Sequence, residues 1–428
     1  GNVTLTGTGG GTTNSTNYGI SLQGKVGNTG SGTVTLVGTN GFGAGSGIGS
    51  SSGANVSSSG GAITLTGNSA NGPGISLQGT NTYGSASSGS ITFNGTGTTA
   101  GFSIQTPSAT VTPAAGNFVT INADSFQSLS SGTLAINATG PVTIQPISAS
   151  FSSGFTWAAS ALRPYFTVPN TSLLTIGKPG NTSSVDINSS TNATSLSVPG
   201  VLSIYGGTLT GSMPITANGL ALHGTGGAAT FTNVDNSLGT IAATGVGSLG
   251  VVNKVPLIIG TVDGVAGISA SGAVTVSTTN VAGNNLTIAN SISTTDTSSS
   301  AVSLTAGLGF TSGTGLTTNI ILSGAPSLTV GAGGRAALYT GAITSDVSSL
   351  VTAGNYRYNS DNVTVTPALG LTGKYGIYRG ASSGNVTVTM NNVTKTYDGA
   401  SFTGASGYSI TGLAPGDTPG GTLVYGGT

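Results

Sequence analysis

The sequence predicts an all-β protein: a right-handed parallel β-helix, or solenoid, followed by the start of a small β module. Two observations lead to this prediction. Short runs alternate apolar with polar residues and end in Gly, Asn or Ser, as strands do. The runs also recur about every 30 residues, and a unit of that size cannot bury its own apolar face. The repeats must therefore stack on one another.

The composition fits such a stack. Among 428 residues there are 9 Lys and Arg, 9 acidic residues (all Asp), 75 Gly, one His and no Cys. Charged residues make up 4% of the chain, against roughly 25% in ordinary domains. In a β-helix, equivalent residues of successive coils lie about 4.8 Å apart, so a repeated charge would face its own copy. The low charge makes nucleic acid an unlikely class of partner, and the lack of Cys excludes disulfides and thiolate metal sites. No apolar run approaches ~18 residues, so membrane insertion is not expected.

The first strand element is Val3-Thr4-Leu5-Thr6-Gly7, and it recurs at residues 34–38, 63–67 and 91–95. Period two puts Val3 and Leu5 on the inner side and the threonines outside. A second element, residues 18–24, recurs at 73–79, more loosely at 101–105 and poorly at 47–49. The repeating unit is therefore predicted to be strand, glycine-rich turn, strand, turn.

Further along the chain the repeats match one another less closely, but they continue and predict a β-helix over residues 1–385. If a coil takes 20 to 30 residues, this stretch makes very roughly 13 to 19 coils, a rod on the order of 60–90 Å long. Further inward-facing pairs are predicted at Leu134/Ile136, Val142/Ile144, Val185/Ile187, Leu196/Val198, Leu202/Ile204, Leu220/Leu222, Val274/Val276, Leu286/Ile288, Val302/Leu304, Ile320/Leu322 and Leu328/Val330.

One segment, residues 146–169, is far more aromatic than the rest and interrupts the repeat pattern. It permits two interpretations. It is either an excursion that leaves the helix and packs back on one face, or a ligand-binding aromatic patch, for instance for sugar rings. The candidate patch residues are Phe151, Phe155, Trp157, Tyr165 and Phe166.

The end of the chain carries a recognisable motif. Lys395-Thr396-Tyr397-Asp398-Gly399, followed by Gly412-Leu413-Ala414-Pro415-Gly416-Asp417, resembles the start of a YDG domain. Such small β modules occur in long bacterial surface proteins of the filamentous haemagglutinin type, where Tyr-Asp-Gly lies early in the module. Residues 386–428 are similar to about half of one module. The stretch 319–385 resembles the end of the β-helical stalk that precedes these modules.

The resemblance implies a secreted, non-catalytic adhesin or structural stalk at the bacterial cell surface, exported by an outer-membrane secretion partner. Its expected partners are a host or neighbouring-cell surface, or copies of itself. The N-terminal secretion domain of such proteins, with its Asn-Pro signatures, is not visible in the sequence. We therefore expect an interior part of a longer polypeptide. The alternative is a subunit of a self-assembling extracellular filament or sheath, favoured by the low charge.

Residues suited to catalysis are scarce, and the sequence predicts no catalytic, cofactor or metal site. His223 is the only histidine, and as a base it would need an orienting carboxylate. A polysaccharide-acting enzyme would need two carboxylates in one groove. Asp235 and Asp263 match the repeat spacing and are the pair to inspect, although each also suits a turn. Thr-x-Thr runs such as Thr4/Thr6 are interpreted as ordinary outward residues of strands, because an ice-binding array needs a pair in every coil.

Overall fold

The computed structural model describes residues 1–10, 17–105, 109–129, 132–158, 165–188, 194–381, 387–390, 396 and 408–411. The described residues up to 381 form a parallel β-helix, which confirms the predicted fold class. Within these ranges, antiparallel pairing occurs in two small sheets, and one 3-10 turn, Ser348–Leu350, is the only helical element.

The longest sheet has a main path of thirteen strands, one from each successive coil as far as Ile320–Leu322. Thirteen strands at about 4.8 Å spacing span roughly 60 Å. In order they are Val3–Gly9, Val34–Asn40, Ile63–Ser69, Ile91–Gly97, Val119–Ala123, Val142–Gln145, Leu173–Ile176, Leu196–Gly206, Ile215–Gly224, Ser237–Val246, Leu257–Ile259, Leu286–Ile288 and Ile320–Leu322. A side branch adds Ile268–Ala270, Ile292–Thr294 and Leu328–Thr329.

The other faces change along the axis. The first coils use two further sheets. One contains Ile20–Leu22, Ile48–Ser50, Ile75–Leu77, Phe102–Gln105 and Phe126–Leu129; the other contains Lys25–Asn28, Asn55–Ser58, Thr82–Tyr83, Ala109–Val111, Leu134–Ile136 and Phe166–Thr167. Later coils replace both with one sheet: Phe155–Thr156, Val185–Ile187, Leu209–Gly211, Ala229–Phe231, Leu249–Asn253, Val274–Thr279, Val302–Leu308, Arg335–Thr340, Gly373–Tyr378 and Tyr356–Arg357.

Aliphatic side chains stack in continuous columns inside the long sheet. Eleven successive register partners, from Val34 to Ile288, are fully buried. At about 1.5–3 kcal/mol for each buried aliphatic side chain, these columns are a main source of stability. The repeats seen in sequence are register partners. The predicted inward residues are buried except Val3, Leu322 and Val330, which are partly buried, and Leu5, which is 42% exposed and corrects the prediction at that position. The column is Val3, Val34, Ile63, Ile91, Val119, Val142, Leu174, Leu202, Leu220, Ile241, Ile259, Ile288 and Leu322.

The glycine that follows each early strand motif is required by close backbone packing. A Cβ built on Gly38 would lie 2.1 Å from the carbonyl oxygen of Gly47, and one on Gly67 would lie 2.2 Å from that of Gly74. Any side chain there would collide with the corner where the chain turns into the next sheet. This explains why Gly recurs at that repeat position.

The described parts of the aromatic-rich segment, residues 146–158 and 165–169, supply strands to the coil, which corrects the prediction of an excursion for these residues. Phe155–Thr156 pairs in parallel with Val185–Ile187, and Phe166–Thr167 pairs with Leu134–Ile136. These strands lie where the helix changes from three sheets to two. Aromatic rings fill the interior at this transition, where each ring buries a large apolar surface.

A buried polar network holds together the loops around the last coils. Arg379 is 1% exposed, and its guanidinium lies 5.5 Å from the ring of Phe310. Burial lowers the pKa of Arg379 to about 10, against the opposing effect of Asp361, so Arg379 remains charged at neutral pH. Its guanidinium donates hydrogen bonds to the carbonyl oxygens of Ala306, Thr314, Gly315 and Thr318.

Past residue 381, the structure describes one antiparallel pair, Thr387–Met390 with Tyr408–Thr411. The motif residues Tyr397, Asp398 and Gly399 lie outside the described residues. The prediction of a partial YDG-like module over 386–428 therefore stays a prediction.

Candidate functional site: the outward face of the long sheet

The outward face of the long sheet carries an ordered column of threonines. Period two turns these residues away from the aliphatic columns. A neighbouring outward column begins with Thr6, Val37 and Thr66 and then changes to amides, so Thr pairs do not recur in every coil. The threonine column is Thr4, Thr35, Thr64, Thr92, Thr120, Thr143 and Thr175.

In the second column, amide side chains form a hydrogen-bonded ladder across four coils. The Asn94 side-chain nitrogen donates to the Thr66 hydroxyl at 3.2 Å, and that of Asn122 donates to the Asn94 carbonyl at 2.7 Å. The Gln145 amide donates to Asn122 at 2.9 Å. Every bond points the same way along the axis, an arrangement in which neighbouring bonds polarise one another.

The ladder is the floor of an open groove of about 500 Å³. Asn68 and Thr96 line it beside the ladder, and Pro146 and Ile147 form an apolar wall. The Ile147 side chain is 43% exposed. Lys178 is the only charged residue in the lining, and its ammonium donates to the Ile147 carbonyl oxygen at 2.9 Å.

Further along the axis, an aromatic pair stands on the same outward face. Tyr205 and His223 are register partners, and their rings stack with centroids 3.9 Å apart at an interplanar angle of 9°. Burial raises the pKa of Tyr205, and nearby Asp263 adds to this effect.

A short hairpin folds onto the outward face beside this pair. Its strands, Thr261–Val262 and Val265–Ala266, are joined by Asp263 and Gly264, whose φ angles are 47° and 78°. An Asp-Gly pair at positive φ is the expected chemistry of a two-residue hairpin turn. Val262 and Val265 pack on Ala221 and Ala242 of the long sheet. Small side chains under the hairpin provide the space for it.

The hairpin brings Asp263 to a pocket of about 380 Å³ that His223 also lines. The Nε2 atom of His223 is buried and has no hydrogen-bond partner in the structure. Burial lowers the pKa of His223, and the charge of Asp263 opposes this effect. The local arrangement therefore keeps the imidazole neutral at physiological pH.

The two aspartates that matched the repeat spacing have different partners. Asp235 accepts an ion-pair hydrogen bond from Lys254 at 2.9 Å, with both side chains more than half exposed. Asp263 lies at the hairpin turn beside His223. Both positions match the turn interpretation of these residues. Among the described residues, no group of three or more His, Cys, Asp and Glu side chains is placed to hold a metal ion.

The five candidate residues of the aromatic patch are buried, with exposed fractions of 7% or less. Their rings contact one another and Phe126; for example, Phe126 and Phe155 have centroids 5.5 Å apart in an edge-to-face arrangement. Stacking on a sugar needs an exposed ring face, so the predicted binding patch is corrected to a core cluster. Its members are Phe151, Phe155, Trp157, Tyr165 and Phe166.

Comparison of the chain with family models, with curated proteins and with solved structures gave no match. A search for spanning segments found that no helix in the described ranges is long and apolar enough to cross a membrane.

Proposed function

We propose that the chain is a non-catalytic stalk of a secreted bacterial cell-surface adhesin. The observation that carries the proposal is the unbroken aliphatic column of the long sheet, fully buried from Val34 to Ile288. Each coil adds the same apolar layer and the same backbone ladder as the one before. A molecule built this way extends by repetition and resists bending.

The resemblance of residues 319–428 to filamentous haemagglutinin-type proteins supports an extracellular location. A chain of that kind reaches the cell surface through an outer-membrane secretion partner. The stalk then holds its binding modules away from the membrane, toward a host or neighbouring cell. The predicted YDG-like module at 386–428 would be the first of these modules.

The second candidate is a subunit of a self-assembling extracellular filament or sheath. The observation that favours it is the near absence of charge, with 4% charged residues and zero formal net charge. Proteins near zero net charge lack the repulsion that keeps copies apart.

Electron microscopy of the native material distinguishes the two. Antibodies raised against the recombinant β-helix would label cells and the material shed from them. Isolated thin rods tethered to cells support the adhesin stalk. Regular polymers in which identical chains repeat along the axis support the filament and contradict the stalk. Label confined to the cell interior contradicts both.

A further inference from the structure

We propose that the groove over the amide ladder binds an extended, uncharged oligosaccharide lying along the helix axis. The ligand class goes beyond the proposed function, because a stalk needs no ligand of its own. The inference is carried by the ladder of Thr66, Asn94, Asn122 and Gln145 and by the walls beside it.

The ladder amides keep unused donors and acceptors, and these can bind sugar hydroxyls. A side-chain amide has two N–H donors and a carbonyl oxygen with two lone pairs. The ladder engages one donor of each amide and one lone pair of each accepting oxygen. The remaining donors and lone pairs belong to side chains that line the groove. A hydroxyl both donates and accepts, so each coil offers complementary groups at regular intervals of about 4.8 Å.

The walls of the groove fit the other property of a sugar ring, its apolar C–H faces. Ile147 and Pro146 provide an apolar side next to the polar floor. Ligand sites commonly combine such apolar walls with a few polar groups that fix orientation. The Ile147 side chain is exposed and therefore accessible to a ligand in the groove.

Two other extended ligands fit less well. A polyanion would need a line of cations, whereas Lys178 is the only charged residue of the lining. A peptide binding as an added strand needs a free sheet edge, but the ladder strands are paired on both sides in the long sheet. The polar groups available to a ligand in the groove are therefore mainly side-chain amides and hydroxyls.

The test measures binding of four hexasaccharides by isothermal titration calorimetry: chitohexaose, cellohexaose, mannohexaose and, as an anionic probe, hexagalacturonate. We expect at least one neutral probe to bind and the anionic probe to bind more weakly. Asn122→Leu removes the central amide at similar volume, and we expect it to weaken binding at least tenfold. Thr96→Val, a milder change at an exposed lining residue, should weaken it several-fold.

The matched control is Gln105→Leu. Gln105 lies on a neighbouring sheet, where its amide donates to the Ser76 hydroxyl at 3.2 Å, much as the ladder amides donate. Binding by this variant should stay within twofold of the parent. The proposal is overturned if no neutral hexasaccharide binds at millimolar concentration, if hexagalacturonate binds more tightly, or if Thr96→Val and Asn122→Leu both bind like the parent. None of these results bears on the electron microscopy that tests the proposed stalk, so failure of one proposal can be told apart from failure of the other.

Discussion

At the scale of single residues, His223 on the outward face makes the stability of the fold depend on pH. It is the only histidine in the chain, and burial lowers its pKa. In the unfolded chain its pKa is about 6.5. As pH falls below that value, the unfolded state binds the proton before the folded state does. The stability contributed by the neutral imidazole is therefore complete above about pH 6.5 and is lost as pH falls toward the lower folded pKa.

Because protonation of His223 destabilises the folded state, we predict that the midpoint of thermal unfolding is lower at pH 5.5 than at pH 7.5. His223→Phe keeps a ring on Tyr205 and removes the titrating group, so the difference should shrink to near zero. Tyr205→Phe is the matched control; it changes the same stack but keeps the histidine, and the pH effect should remain. Circular dichroism melts at both pH values measure this. An undiminished pH effect in His223→Phe would contradict the assignment.

The sequence alone predicted which residues of a strand face the interior, but not which polar residues stack across coils. Period two assigned Leu36 and its register partner Leu5 to the interior. Leu36 is fully buried, whereas Leu5 is 42% exposed. The amide ladder could not be found this way. Asn94 and Asn122 are 28 residues apart, but Asn122 and Gln145 are 23 apart, so their stacking depends on coil lengths that vary. The only sign of the ladder in the sequence is that successive strand runs end in polar residues.

At the scale of elements, the aromatic cluster joins two differently shaped parts of the helix. Phe166 is fully buried, and its strand pairs with Leu134–Ile136 in the last position of its sheet. Its ring lies 5.7 Å from that of Phe126, edge to face. Sequence composition marked segment 146–169 as unusual but suggested only an excursion or a binding patch, because a change in the number of sheets leaves no periodic pattern.

We predict that Phe166→Ala lowers the free energy of unfolding by about 3–5 kcal/mol, since it opens a large cavity at the junction. Phe42→Ala is the control, because Phe42 is 56% exposed; its effect should stay within about 0.5 kcal/mol. Urea unfolding followed by fluorescence of the single buried Trp157 reports directly on this region. Equal effects of the two substitutions would mean that the rings do not support the junction.

At the scale of the whole molecule, stacking explains the composition. An acidic residue is tolerated where its register partner is a hydroxyl, as at Asp186, which accepts a hydrogen bond from Thr210 of the next coil at 2.6 Å. Two acidic residues in adjacent coils would instead face each other at about 4.8 Å and repel by about 1 kcal/mol in water. A long column multiplies that cost, which favours Thr, Ser and Asn on outward positions.

Charges placed in one column should therefore destabilise the protein more than the same charges placed apart. Thr92, Thr120 and Thr143 are successive register partners, so changing all three to Asp should lower the free energy of unfolding by about 2 kcal/mol at low salt beyond the effects of single changes. The control triple, Thr92→Asp with Thr175→Asp and Thr230→Asp, adds the same net charge on strands that are not neighbours. Salt at 1 M shortens the screening length to about 3 Å and should recover most of the difference between the triples. Urea unfolding at low and high salt tests this, and an equal salt response in both triples would show that register stacking does not set the charge content of the chain.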